Sequence, residues 1–404
     1  MAVGGRASVS ATSGPASLQD MRRQNLAVVL GAVAAHSPVS RADLAGHVGL
    51  TRAAVSSLVD ELISRGAVTE AAATASGRVG RPGRALAMSS EGPAGLGLEI
   101  GVAHLAACVV DLRGDTRVWR RVERANAGRP AGRVLEDAAA LAAEAEAEAS
   151  ALGLRVEGRV LALPGVVSNE PGGLVEIVPN LGWRGVRLAD HWPDPDTVPE
   201  PENEANLGAL AEYWTAGRPS ATFVHVSAAA GIGAALVLDG RLFRGTRGFA
   251  GELGHFPVHP DGPDCACGGR GCLEQYAGEA AVLREAGLTP PGADPVALLA
   301  ERAGAAHAPT LAALDRAGRA LGLALTATVD LIDPDGLVLG GAYAELADWL
   351  LPSVRAELAA RVTVRPWAPD ALRPSALGRR GPLLGAALTT VRRIMANPTL
   401  LPAG

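Results

Sequence analysis

Apolar residues first recur at helical spacing near residue 20. Met21, Leu26, Val29, Leu30 and Val33, with Asn25 among them, share one side, and His36-Ser37-Pro38 ends the segment. Ser40 can cap a second short helix through Leu44 and Val48, and Gly49 permits a tight turn. Thr51 can cap a third helix with Val55, Leu58, Val59, Leu62 and Ile63 on its apolar face, and Gly66 stands where a left-handed residue closes a helix. The period then changes. Residues 67–70 and 85–88 read as two short strands flanking Gly77-Arg78-Val79-Gly80-Arg81-Pro82-Gly83-Arg84. Two short helices joined by a Gly-containing turn, followed by a hairpin, predict a winged helix-turn-helix domain over residues 17–90. The first 16 residues, small and polar, are expected to be a disordered tail.

Further along, residues 96–100 and 106–110 read as strands, with a turn at Arg113-Gly114-Asp115. Residues 131–151, rich in Ala and Glu, read as one exposed helix, and residues 160–163 as a buried strand ending at Pro164-Gly165. The Pro- and Asp-rich stretch 191–201 reads as a linker or long loop, followed by a helix over 204–214. Residues 222–227 and 234–238 read as paired strands. Helices dominate beyond Glu279, except for a strand over 336–339 before Gly340-Gly341. Alternating strands and helices predict an α/β body, and no period of solenoid length is present.

Charge divides the chain the same way. Residues 1–90 carry nine Arg against five acids, whereas the remainder is net acidic, and the whole has a formal charge of −5. There is no Lys among the 404 residues. A basic first segment on an acidic body predicts an anionic partner for that segment alone. The exposed start of the third helix offers Thr51, Arg52, Ala53, Ser56 and Ser57, small or hydrogen-bonding groups suited to a major groove. Arg78, Arg81 and Arg84, spaced among Gly and Pro at a hairpin tip, can clamp phosphates or enter a minor groove. Double-stranded DNA is thus the expected partner, with a protein-binding helical bundle as the alternative. No apolar run approaches the ~20 residues that span a bilayer, and the N-terminus has no apolar core of a signal peptide, so a cytoplasmic protein without membrane insertion is expected.

The densest chemistry lies in Gly251-Glu252-Leu253-Gly254-His255, Cys265-Ala266-Cys267 and Cys272. One His and three of the chain's four Cys within 18 residues match a closed tetrahedral Zn²⁺ site, one structural ion per chain with no open position for a catalytic water. Three reduced thiols beside an unrelated His, or His259 as a substitute ligand, are the alternatives.

This stretch resembles the signature of the ROK family, whose members are repressors, uncharacterised open reading frames and sugar kinases. The resemblance includes Arg241-Leu242-Phe243-Arg244-Gly245, Cys272-Leu273-Glu274, Pro179-Asn180-Leu181-Gly182-Trp183 and Leu339-Gly340-Gly341, over about residues 94–395. It implies a two-lobed α/β domain of the actin-like, sugar-kinase (ribonuclease H-like) type over residues 91–404. One lobe would be about 91–200 plus the C-terminal helix, the other about 201–380. The helix-turn-helix is similar to that of the family's regulator branch. The resemblance also implies a sugar pocket in which Gly165, Asn203, Glu204, Glu252, His255 and Glu274 face the ligand, His255 using one ring nitrogen for zinc and the other for a sugar hydroxyl.

A kinase of this family carries Asp-x-Gly-Gly-Thr at its first strand, an Asp after Asn as general base, and Gly-Thr-Gly-x-Gly as a second phosphate loop. The corresponding residues here are Glu99-Ile100-Gly101-Val102-Ala103, Asn203-Glu204 and Ala229-Ala230-Gly231-Ile232-Gly233. Each departure removes phosphate donors or displaces the base. The expected function is therefore a non-enzymatic regulator, a repressor of carbohydrate uptake or metabolism genes that binds operator DNA as a homodimer or dimer of dimers and responds to a sugar. An ATP-dependent sugar kinase fused to a DNA-binding domain, a protein-binding scaffold and a regulator with a degenerate pocket are the alternatives.

Overall fold

The computed structural model describes residues 18–71, 84–170, 172–215, 220–229, 231–289 and 294–403, Ala71 by its backbone only. The chain forms two compact units, one made of Met1–Pro93 with Arg392–Gly404 and the other of Ala94–Val391.

The smaller unit contains α1 (Leu18–His36), β1 (Val39–Ser40), α2 (Arg41–Val48), α3 (Arg52–Ser64), β2 (Val68–Ala71) and β3 (Ala85–Met88). The local signals act as read from the sequence. Ser40 accepts from the Asp43 N–H, Thr51 accepts from the Ala54 N–H, and Gly49 sits at φ +69° to close α2. Leu26, Val29, Leu30 and Val33 of α1 pack with Leu44 of α2 and Val55, Leu58, Val59 and Leu62 of α3 in a dry core. The three strands form one antiparallel sheet in the order β1-β3-β2. Residues 398–400 pack on α1, and Arg65 donates to the Leu401 carbonyl, which ties this segment to the smaller unit.

The larger unit holds two five-stranded sheets. Its first lobe has β4 (Gly92–Ile100), β5 (His104–Asp111), β6 (Thr116–Glu123), α4 (Ala131–Ala151), β7 (Leu154–Leu163), β8 (Val166–Val167), β9 (Leu174–Val178), β10 (Trp183–Arg187) and β11 (Glu200–Asn203). The main sheet runs β11-β7-β4-β5-β6, and β10-β9-β8 form a small antiparallel sheet. Helix α4 has the predicted bounds but is not simply exposed. Val134, Leu135, Ala138, Leu141, Ala142, Ala145 and Ala149 are buried, because Ala on one face lets the helix lie close to the sheet. Nor is 191–201 a plain loop, since its end is strand β11, in parallel register with β7 from Glu200↔Val160 to Asn203↔Leu163.

The second lobe adds α5 (Glu204–Thr215), β12 (Phe223–Ala228), β13 (Ile232–Leu238), β14 (Arg241–Phe243), α6 (Glu274–Ala277), α7 (Glu279–Glu285), α8 (Pro295–Gly304), α9 (Ala308–Ile332), β15 (Gly336–Gly341), α10 (Ala342–Glu345), α11 (Ala347–Arg361), β16 (Leu372–Pro374) and α12 (Gly381–Ala396). Its sheet runs β14-β13-β12-β15-β16. Val224, Val226, Leu337 and Leu339 pack against helices α9 and α11, while Phe223, Ala235, Val237 and Val338 pack under Ala209 of α5. Helix α12 returns to the first lobe's sheet. A side chain at Gly95 or Gly97 would lie 2.2 Å from the Ala387 carbonyl oxygen or 2.4 Å from that of Leu383, so only Gly allows this approach. Among the described residues no helix is long and apolar enough to cross a membrane.

Candidate metal and sugar site

The chain after β14 wraps back on itself. Gly251 sits at φ +101°, its carbonyl accepts from the Ala234 N–H at 2.8 Å, and a side chain there would lie 1.9 Å from the Ala234 carbonyl oxygen. One turn of 3₁₀ helix, Leu253–His255, then presents His255. A tight turn closed by the Cys265 N–H to the Gly269 carbonyl (2.8 Å) presents Cys265 and Cys267, and a bridge between Pro257 and Cys272 returns the last thiol to the same place. The ligand atoms of His255, Cys265, Cys267 and Cys272 all lie within 4.8 Å of one another. Cys267 Sγ is 3.7 Å from Cys272 Sγ, and Cys265 Sγ is 3.8 Å from His255 Nδ1. Tetrahedral zinc with bonds of ~2.3 Å to sulfur requires ligand separations of about 3.8 Å, so the residues fit the ion. The Gly269 N–H donates to Cys267 Sγ and lowers that thiol, which favours the thiolate a metal needs. His259 is outside this group, and its ring packs edge-on against Tyr276.

With Nδ1 turned to the thiols, His255 directs Nε2 toward Glu252 Oε2, 3.9 Å away. Burial raises the Glu252 carboxyl above its ordinary range, opposed by His255 and reinforced by Glu274. Glu274 opens α6 and accepts from the Ile232 N–H at 3.2 Å. Gly231 leaves room for it, since a side chain there would lie 2.8 Å from Glu274 Oε2 and 3.9 Å from Asn180 Nδ2. Asn180 Nδ2 thus lies near Gly231 as well. The sequence placed it only inside a family segment, and its position depends on the 3₁₀ turn Pro179–Leu181, which carries no strong local signal.

Asn203 does architectural work. Its Oδ1 accepts from the N–H groups of Ala205 (2.8 Å) and Asn206 (3.2 Å), capping α5, while Nδ2 donates to the Gly165 carbonyl at 2.8 Å. Gly165 has no room for a side chain, which would lie 2.4 Å from the Ile177 carbonyl oxygen. Glu204, the next residue, lies in the field of Glu99. Burial and then that charge push it up to about 8.

The first-strand loop differs from the expectation in one respect the sequence did not reveal. His104 Nε2 pairs with Glu99 Oε1 at 3.0 Å, and its ring lies over Gly101, where a side chain would meet Cε1 at 2.2 Å. Buried Asn126 fixes this arrangement by donating to the Gly101 (2.8 Å) and His104 (3.0 Å) carbonyls. The face over Gly101 is therefore taken by an imidazole. Val102 packs into the first lobe's core and Ala103 is exposed, whereas Ala230 lies outside the described residues. A cleft of about 850 Å³ opens beside Glu99, lined also by Trp119, Arg121, Ser375, Arg379 and Arg380.

In the smaller unit Thr51, Arg52, Ala53 and Ser57 are exposed along the start of α3, and Thr51 doubles as its cap. Ser56 is half-buried, with its carbonyl taken by Arg41 Nη1 at 3.2 Å. Arg84 is exposed, while Arg78 and Arg81 lie outside the described residues.

Two joined sugar-kinase-like lobes with a His/Cys₃ cluster, preceded by a helical unit, define the class: the chain belongs to the ROK family, whose profile matches residues 95–392. It is similar to the xylose repressor of Bacillus subtilis (strain 168), 29% identical over 391 residues, covering 94% of this chain and 98% of that protein. Among solved structures, a ROK family transcriptional regulator described as a homologue of the E. coli MLC protein superimposes with a TM-score of 0.76 at 23% identity, over 94% of this chain and 98% of that one. A ROK family glucokinase from Streptomyces griseus, in complex with glucose and AMPPNP, gives 0.63 at 26% identity, covering 73% of this chain and 98% of its own.

Proposed function

We propose that the protein is a cytoplasmic transcriptional repressor of carbohydrate uptake or metabolism genes, binding operator DNA through a winged helix-turn-helix and relieved by a sugar held in a zinc-supported pocket. The observation that carries this reading is the likeness to a xylose repressor over 94% of the chain, because it includes the helical unit that sugar kinases lack the length to match. Xylose is accordingly the first sugar to test.

In this reading α3 enters the major groove with Arg52, Ala53, Ser56 and Ser57, and Arg78, Arg81 and Arg84 neutralise phosphates beside it. Glu252 and Glu274 accept hydrogen bonds from sugar hydroxyls, and His255 Nε2 contributes a further contact. Bound zinc fixes the four ligand residues and the orientation of the His255 ring. Asn203 holds the Gly165 carbonyl at the pocket edge, and Glu204, protonated at neutral pH, can donate to the ligand. The sugar shifts the protein only through its different affinity for the two lobe arrangements. A homodimer then no longer matches half-sites one helical turn apart.

The pairing of His104 with Glu99 over Gly101 supports a non-enzymatic reading, since the imidazole fills the space over Gly101 and the Gly101 N–H is already donated to the His104 carbonyl. Mobility shift on the chain's own upstream DNA with a sugar panel tests the proposal. Binding released by at least one sugar is expected, and binding that no sugar alters would sink the effector claim. Robust isotope transfer from ATP to any sugar would establish the kinase alternative instead.

A further inference from the structure

Glu70 lies on β2 at the base of the hairpin, and both its oxygens are engaged. Oε1 accepts from Arg41 Nη2 at 3.1 Å and Oε2 from Arg84 Nη1 at 2.6 Å. Arg41 opens α2 and reaches α3 as well, donating through Nη1 to Asp60 Oδ1 (2.7 Å) and to the Ser56 carbonyl (3.2 Å). A continuous chain of charge-assisted contacts thus runs from α3 through Arg41 and Glu70 to Arg84, the residue before β3. Its members differ in freedom. Arg41 side-chain exposure is 30% and Glu70 25%, whereas Arg84 is 77% exposed. The inner guanidinium is pinned on three acceptors, and Arg84 is the exposed end. Arg84 beside it is the main cause that holds the Glu70 carboxyl below its ordinary range, so the carboxylate is charged at neutral pH.

A phosphate that takes the Nη1 edge of Arg84 must displace Glu70, and Glu70 repels a phosphate at any edge of that guanidinium. Any stretch of DNA presents phosphates, so this competition acts first on sequence-independent binding. In a specific complex the intact link presents the remaining N–H groups of Arg84 at a place set relative to α3, where base contacts are made. Resting on the DNA-binding reading above, we infer that Glu70 is a specificity-determining residue. Its carboxylate withholds Arg84 from indiscriminate phosphate contacts and ties that guanidinium through Arg41 to the helix that reads the bases.

The full-length protein, Glu70→Gln, Arg84→Gln and the double variant are titrated against a random-sequence duplex and the chain's own upstream DNA from low to moderate salt. Glu70→Gln should bind the random duplex about three- to fivefold tighter, the scale of one exposed ion pair. Its plot of log K against log salt should steepen by roughly 0.9, one extra phosphate contact. Its preference for the upstream DNA should fall, and the double variant should lose the added slope. A loss of stability alone would leave the salt slope unmoved. If the wild type binds DNA but Glu70→Gln changes neither slope nor random-duplex affinity, the inference fails and the DNA-binding reading stands. If the wild type binds neither duplex at low salt, both fail.

Discussion

Asn203 is the residue whose replacement separates architecture from ligand contact most cleanly. Replacing it by Ala removes an N-cap on α5, at about 1 kcal/mol, and the hydrogen bond to the Gly165 carbonyl, at about 1 kcal/mol. The expected cost is about 2 kcal/mol in the larger unit. Ser in its place can still cap α5 but is too short to reach Gly165, 38 residues earlier in the chain, so Asn203→Ser should recover about half of that loss. Urea unfolding of the wild type and both variants reads the two contributions. Calorimetric titration with the effector sugar should show weakening of about tenfold in both variants, because the released Gly165 carbonyl no longer holds the pocket edge. An Asn203→Ala loss below about 0.5 kcal/mol would refute the capping and tethering argument. A Ser variant as unstable as the Ala variant would refute the division between the two roles.

Two further outcomes follow from the same site. Cys265→Ser should reduce bound zinc from one equivalent per chain to a small fraction by metal analysis, and abolish the sugar response while the helical unit keeps its DNA affinity. Glu204 sets a pH slope. Burial and then the Glu99 charge push its carboxyl up to about 8 in the folded protein from an ordinary 4.5, so the folded form holds a proton that the unfolded form has released between these values. Stability should therefore decline as pH rises through that window. Glu204→Gln should flatten the decline in unfolding midpoints between pH 5 and 8 and match the wild type near pH 4.

What the sequence determined by itself was local. The bounds of α4, the caps Ser40 and Thr51, and the left-handed turn at Gly49 follow from spacing and side-chain chemistry within a few residues. So does the His255, Cys265, Cys267 and Cys272 cluster, whose members lie close enough in the chain for one Gly-rich loop to gather them. The rest needed contacts between distant segments. Strand β11 hides in a Pro- and Asp-rich stretch because its strand character comes from pairing with β7. The buried face of α4 depends on the sheet beneath its alanines, and the last residues, Arg392–Gly404, join the first unit although nothing in their composition says so. At the site, substitutions in the phosphate loops were legible one letter at a time, but His104 over Gly101 was not. Its meaning arises only when a β-hairpin folds the imidazole back onto a residue without a side chain and sets a carboxylate beside it. Periodicity records which face of an element is buried, whereas which groups meet across the interior is decided by the path of the whole chain.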